Sequence, residues 1–414
     1  MMHTPKQKRV FERYWHMNPD ILHVDFSHDL LGVVVIPVLN DYDIFRTIDS
    51  LSSCIFSKGT IGVVIVVNHS EKAASELKRA NILLAQQIRD YILPRQNERM
   101  EFHIIEAFDL PAKTAGVGLA RKLGMDAAAH WLCTHDSGGM PIFSLDADTC
   151  VAVNYIDVVC QYFANYPVAG VSITYEHRLA ECEKDHFLSM VKYELYLRYY
   201  QIALSYCGHP HAYPCLGSAF VVRAEDYVAE GGMNKKQAGE DFYFIQKLIS
   251  TGRYAWLKNT RVYPSPRISV RTPFGTGRSV LEITEMGAYP VYSWRSFEEL
   301  KFFLGDIITL YKCDMHRCKK YIDRQFPSVR QYMSEMNMAD IIMEVNANCA
   351  SGSQFVNRFF DRFNAFRVLR YMNEMHDRFY IRQEISEAAD DMFLALGYPV
   401  QDTDIDRLEF LRNL

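Results

Sequence analysis

Three sets of side chains in this sequence have the types and spacing that do chemistry. Asp146 and Asp148 close the stretch PIFSLDAD, Glu240 and Asp241 follow directly on Gly239, and Arg261, Arg267, Arg271 and Arg278 recur through RVYPSPRISVRTPFGTGR with no acid or lysine among them. Two carboxylates on a short rigid element suit a hard divalent cation that also holds substrate phosphate oxygens; the alternative is a solvated turn that happens to carry two acids. Glu240 and Asp241 precede an amphipathic run with Phe242, Phe244, Ile245, Leu248 and Ile249 on one side, so they stand at a helix N-terminus. Acids there complement the helix dipole without any chemistry, or serve as bases if a reacting hydroxyl lies beside them. Guanidinium groups grip phosphate oxygens bidentately, and Pro264, Pro266, Pro273, Gly275 and Gly277 make their segment loop-like. A diphosphate-clamping lid and a plain basic surface loop are the two readings.

These groups need elements to position them. The apolar run Ile142 to Leu145 reads as a buried strand with the two aspartates at its carboxyl end, and open α/β sheets bind ligands in the crevice outside such ends. LLGVVVIPVLND from Leu30 and IGVVIVVNHS from Ile61 are continuous and β-branched, which fits strands buried on both faces. Between them a helix capped near Asp41 or Asp43 is expected, then a helix over about Glu71 to Tyr91 and a strand over Glu101 to Ala107. Gly116 and Gly118 precede a helix running through Ala127 to Ala129; its first amides could face a phosphate or hydroxyl, or the glycines could simply make a tight turn. Four strands alternating with helices imply a doubly wound, largely parallel α/β sheet.

Beyond Asp148 the pattern predicts a helix over Val151 to Tyr166, a strand over Val168 to His177, a long helix from about Ala180 to Tyr206 and a strand over Ser218 to Arg223. His209 and His211 flank Pro210 without any second pair at metal-ligand spacing, so their loop is expected to face substrate rather than a metal. From Ser296 to Leu414 helical stripes dominate, expected as a core-packed domain or an oligomerisation surface. The expected organisation is an N-terminal arm (1–29), a catalytic domain (30–295, divided into 30–150 and 151–295) and a helical C-terminal domain (296–414).

The chain has 414 residues, enough for a large core, and a net charge of -5, which gives no general drive toward nucleic acid or anionic membrane. Ten cysteines include no C-x-x-C pair and are expected as reduced thiols. The longest apolar runs are too short to span a bilayer, so a soluble cytoplasmic protein, with room for peripheral contact at the inner face of the membrane, is the expectation.

Taken in order, VVVIPVLND, VVIVVNHS, GVGLARKLGMDAA, FSLDADT, LGSAFVVRAEDYVAEGGMN and AGEDFYFIQKLISTG resemble the motifs of the family 2 glycosyltransferases with the GT-A fold, over about residues 30–265. The resemblance implies a sugar-nucleotide site with Pro37 and Asn40 at its floor and Asn68 near the base, where the family commonly has aspartate. It implies that Gly116 or Gly118 and Arg121 line the nucleotide pocket, and that Gly217 and Ser218 begin the acceptor-side strand. Asp146 and Asp148 match the D-x-D motif, whose second acid typically ligates Mn2+ or Mg2+ on the donor diphosphate while the first contacts ribose, sugar or metal. Glu240 and Asp241 match the acidic pair, with Asp241 expected as the base and Glu240 orienting the acceptor or exchanging that role. Arg267, Arg271 or Arg278 would add charge stabilisation. Retaining enzymes of this fold often place a histidine after the acidic motif, and none occurs here between Asp241 and His316, which favours inversion.

The implied substrates are a UDP- or GDP-sugar donor and a glycan, lipid-linked or small-molecule acceptor, with no nucleic acid partner. Self-association through the C-terminal helices is an open expectation. A sugar-1-phosphate nucleotidylyltransferase would need a glycine-rich, basic loop after the first strand, where this chain has Pro37 to Asp43 with neither. A non-catalytic sugar-nucleotide-binding assembly subunit is the remaining alternative.

Overall fold

The computed structural model describes residues 4–27, 29–57, 59–235, 239–268 and 275–414. Arg271 therefore lies outside the described residues. The chain divides into two compact units that are not continuous in sequence: 1–181 with 213–266 and 271–274, and 182–212 with 267–270 and 275–414. The sequence-based boundary at 295/296 differs, because the long helix Phe187–Tyr206 and the helix Thr276–Met286 pack with the C-terminal helices.

The first unit is built on eight strands: β1 (Leu30–Val38), β2 (Thr60–Ser70), β3 (Met100–Leu110), β4 (Pro141–Ser144), β5 (Cys150–Val151), β6 (Gly170–Tyr175), β7 (Phe220–Arg223) and β8 (Tyr254–Tyr263). Their order is β3-β2-β1-β4-β7-β6-β8-β5. Strands β3, β2, β1 and β4 run parallel, β6 pairs parallel with β8, and β7 is inserted antiparallel to both β4 and β6. This is the largely parallel α/β sheet expected from the alternating pattern. Val33 through Ile36 of β1 are fully buried, as its unbroken β-branched run requires, and each such side chain contributes about 1.5–3 kcal/mol of transfer free energy.

Helix Ile44–Ser52 starts after Asp43, as expected, but the Asp43 side chain makes no capping bond. Helix Val117–Thr134 is buried on nearly every side, which explains its Ala- and Gly-rich sequence. A Cβ at Gly124 would meet Val35 Cγ1 at 2.5 Å and Val66 Cγ2 at 2.8 Å, so only glycine lets this helix lie so close on β1 and β2. Arg121 is three residues earlier and therefore on the same face. The N-terminal helix Pro5–Met17, opened by a capping box at Thr4 and Gln7, is tied to the helix bearing Arg121 through the Tyr14 hydroxyl, which donates to Asp126 at 2.7 Å.

The second unit is helical, with a core that includes Phe297, Phe303, Phe355, Phe359 and Tyr371, all fully buried. Glu194, fully buried on Phe187–Tyr206, accepts from Arg198 and from Arg412 of the last helix, Asp404–Arg412, at 2.9 and 2.8 Å. A small two-stranded sheet in this unit pairs Pro290–Val291 with Gln383–Glu384. Among the described residues, no helix is long and apolar enough to cross a membrane. None of the ten cysteines forms a disulfide.

Candidate functional site

Because β7 runs against β4, the entry to β7 lies beside the exit of β4. Ser144 pairs with Phe220, and its hydroxyl donates to the Gly217 carbonyl at 2.6 Å. The parallel strands β1 and β2 end on the same edge of the sheet. Pro37, Asn40, Asn68, Asp146, Gly217 and Ser218 thus belong to one edge, the carboxyl edge of the parallel strands.

Arg121 organises this edge. Its guanidinium donates through Nη2 to Asp146 Oδ1 at 2.5 Å and through Nη1 to Glu240 Oε1, and Arg121 and Glu240 are both buried while Asp146 is 37% exposed. A Cβ at Gly217 would sit 2.8 Å from Arg121 Nη2 and 3.0 Å from Asp241 Oδ2, so Asp241 shares the cluster and position 217 has no room for a side chain. Gly239, in the left-handed conformation at φ 71°, turns the chain into helix Glu240–Ser250 and delivers both acids at its first turn. One cation therefore faces three carboxylates. Burial opposes the charge on Arg121, but Asp146, Glu240 and Asp241 outweigh it and hold its pKa above the ordinary value. Burial pushes both Glu240 and Asp241 up from the usual carboxylate range, against the pull of Arg121.

The turn carrying Asp146 and Asp148 is held from outside. Thr47 donates its hydroxyl to the Ala147 carbonyl at 2.8 Å. Arg178, just beyond β6, reaches Cys150 Sγ at 2.7 Å, the Tyr263 carbonyl at 3.3 Å and the Asp148 carbonyl at 3.5 Å, and pairs with Glu181 at 3.0 Å. Glu181 in turn binds Arg46 through two bonds of 2.9 and 2.7 Å. Arg178 was missed from sequence; its only signal was a cation directly after an expected strand.

On the β1–β2 side, Asn68 is buried and donates its amide to the Val38 carbonyl at 2.8 Å. Asn81 bridges the two strand ends, donating to the Asn68 carbonyl at 2.6 Å and accepting from the Asn40 amide at 2.8 Å. Pro37 is buried within β1. Gly116 is the N-cap of helix Val117–Thr134, with Gly118 second in it, and no side-chain capping bond is made from the N-cap position.

Arg267, Arg278, His209 and His211 belong to the second unit. Arg278 lies in the first turn of Thr276–Met286, paired with Glu282 at 2.7 Å. His209 and His211 are buried rather than substrate-facing. His209 donates from Nε2 to the Phe363 carbonyl at 2.9 Å and accepts the His211 amide on Nδ1 at 3.2 Å, and burial lowers its pKa to about 3, so it is a neutral core side chain.

Among the described residues, no group of three or more His, Cys, Asp or Glu side chains gathers to cage a metal ion. Asp146 and Asp148 stand two residues apart on the turn after β4, both partly exposed, with Asp146 bound to Arg121.

No family model matches this chain, and no curated protein matches it. Among solved structures it is similar to S. aureus TarS 1-349 in complex with UDP-GlcNAc, at 12% identity over 92% of this chain and 90% of that one, with a TM-score of 0.38. It is also similar to the same protein in complex with UDP, at 10% identity over 81% and 93% with a TM-score of 0.38. A third likeness is to the mannosyltransferase PcManGT from Pyrobaculum calidifontis in complex with GDP-Man and Mn2+, at 10% identity over 99% and 94% with a TM-score of 0.35.

Proposed function

We propose that this chain is a glycosyltransferase of the family 2 type, moving a sugar from a UDP- or GDP-sugar to an acceptor hydroxyl with inversion. The observation that supports the reading is the single buried cation, Arg121, shared between Asp146 after β4 and Glu240 at the start of Glu240–Ser250, with Asp241 alongside. It joins a turn suited to a diphosphate with acids suited to a hydroxyl, and the surplus of carboxylate charge suits a site that receives a cation with its substrate.

Inverting transfer needs a carboxylate to take the acceptor proton while the anomeric carbon passes through an oxocarbenium-like state; such a base contributes about 10²- to 10⁴-fold. Asp241 takes that role. Glu240 is buried and bound to Arg121, which suits it to fixing the guanidinium rather than moving a proton. The upward push on Asp241 brings its basicity closer to that of a proton acceptor at neutral pH. Asp146 and Asp148 would hold Mn2+ or Mg2+, which when bound supplies Lewis-acid stabilisation of the leaving diphosphate. Gly217, having no side chain, lets the backbone entering β7 lie against Arg121 and Asp241, and with Ser218 it would form the acceptor side of the site. The nucleotide base would lie toward Asn68 and the phosphates toward Gly116, Gly118 and Arg121.

Thermal shift with a panel of sugar nucleotides and Mn2+ tests the reading, since a ligand that binds only the folded state raises Tm by mass action. A selective rise with one UDP- or GDP-sugar is expected. Equal, negligible shifts across the panel, with and without metal, would defeat it.

A further inference from the structure

The second unit carries a local charge excess that the transfer chemistry does not use. In the helix Met315–Asp323 and the residue after it, Cys318 and Ile322 face inward and Arg317, Lys319, Lys320 and Arg324 are exposed, with Asp323 the single acid. At 100° per residue Arg317, Lys320 and Arg324 fall on the arc opposite the buried pair, Lys319 stands at its flank, and Asp323 lies between Lys319 and Lys320. Among the described residues none of these four side chains has an ion-pair, hydrogen-bond or ring partner. Elsewhere in this unit several exposed arginines are paired: Arg362 with Glu344, Arg370 with Glu374 and Arg378 with Glu335. The whole chain is net negative, so the local excess of this face runs against the overall charge.

An exposed aromatic ring lies beside it. Tyr321 donates its hydroxyl to the Phe303 carbonyl at 2.6 Å, which fixes the basic helix against Trp294–Gly305. Phe302, 55% exposed, meets Phe326 edge-on at 5.5 Å, two residues beyond Arg324. We propose that the solvent face of Met315–Asp323, with Phe302 at its side, is a docking surface for anionic phospholipid headgroups. Unpaired cations next to a single half-sunk ring match the water–lipid interface, where each Lys or Arg contributes about a fivefold gain in partition and an aromatic side chain enters the headgroup layer. A single-stranded nucleic acid would call for a row of stacking rings rather than one.

The test is co-sedimentation of the full chain with vesicles of phosphatidylcholine alone and of phosphatidylcholine with 30% phosphatidylglycerol, without any sugar nucleotide present. The expected result is binding to the anionic vesicles only, lost in 0.5 M NaCl. Substituting Arg317, Lys319, Lys320 and Arg324 together by Gln should lower partition at least 100-fold, and Phe302→Ser alone about threefold to tenfold, both with unchanged circular dichroism. Equal partition of the wild-type chain and the four-Gln variant, or no binding of the wild type to anionic vesicles, overturns the proposal. So does binding to a 20-nucleotide single-stranded DNA that is tighter than to the vesicles.

Discussion

Arg121 and Lys122 are consecutive, buried and on one helix, yet they serve opposite ends. Lys122 meets Asp126 at 2.8 Å and the Tyr14 hydroxyl at 3.0 Å, while Tyr227 donates to the same aspartate at 2.6 Å. One cation faces one carboxylate, two hydroxyls complete the network, and the result fastens the N-terminal helix and the segment before Met233 to the sheet. Arg121 faces three carboxylates, one of them partly open to solvent. Balanced buried charge holds a fold; unbalanced buried charge at a sheet edge is maintained against its own cost and marks a site that expects something more.

The largest effect that could break this contrast is at Asp241. Asp241→Asn should lower turnover by about 10²- to 10⁴-fold while donor binding persists. Its stability should not fall: an acid whose folded pKa is raised loses stability as pH climbs from the unfolded toward the folded pKa, so a neutral amide removes that loss above the window. In the wild type, rate should rise with pH through a pKa above the ordinary carboxylate range. Near-normal turnover in the variant would reassign the base.

Arg121→Met leaves Asp146, Glu240 and Asp241 without their shared cation, and should cost about 3–5 kcal/mol in urea unfolding. Its loss should be smaller at acid pH, where the carboxylates are protonated. Lys122→Met leaves Asp126 two hydroxyl donors and should cost only about 1–3 kcal/mol, with turnover per folded molecule unchanged. If Lys122→Met instead abolished turnover without unfolding, the division between the two neighbours would fail. The smallest effect belongs to Arg178→Lys, which loses the spread of contacts to Cys150, Tyr263 and Asp148. A loss of about tenfold in metal-dependent nucleotide affinity is expected, read by calorimetry, with Tm nearly unchanged.

The strands that build the edge were legible in sequence because β1 and β2 are buried on both faces, which forces unbroken β-branched runs. The glycine at 124 and the arginine before it were legible as a motif, and the structure supplies the reason, a helix pressed onto Val35 and Val66. The antiparallel insertion of β7 was not legible, since a four-residue buried strand has the same composition in either direction. The role of the N-terminal arm was hidden because Tyr14 meets Asp126 across 112 positions of sequence. The histidines of the 208–218 loop misled for a related reason: the partner that buries His209, the Phe363 carbonyl, is a backbone atom 154 positions away, and no side-chain pattern announces it. Asp146, Glu240 and Asp241 could be picked out singly, but their convergence on Arg121 is a property of the folded chain.

The measurement closest to the central claim is donor binding by calorimetry, paired with release of nucleoside diphosphate, for the wild type, Asp148→Ala and Asp241→Asn with Mn2+. The wild type is expected to bind and transfer, Asp148→Ala to lose metal-dependent binding, and Asp241→Asn to bind without transfer. A wild-type chain that binds UDP- and GDP-sugars equally poorly with and without Mn2+ would contradict that claim.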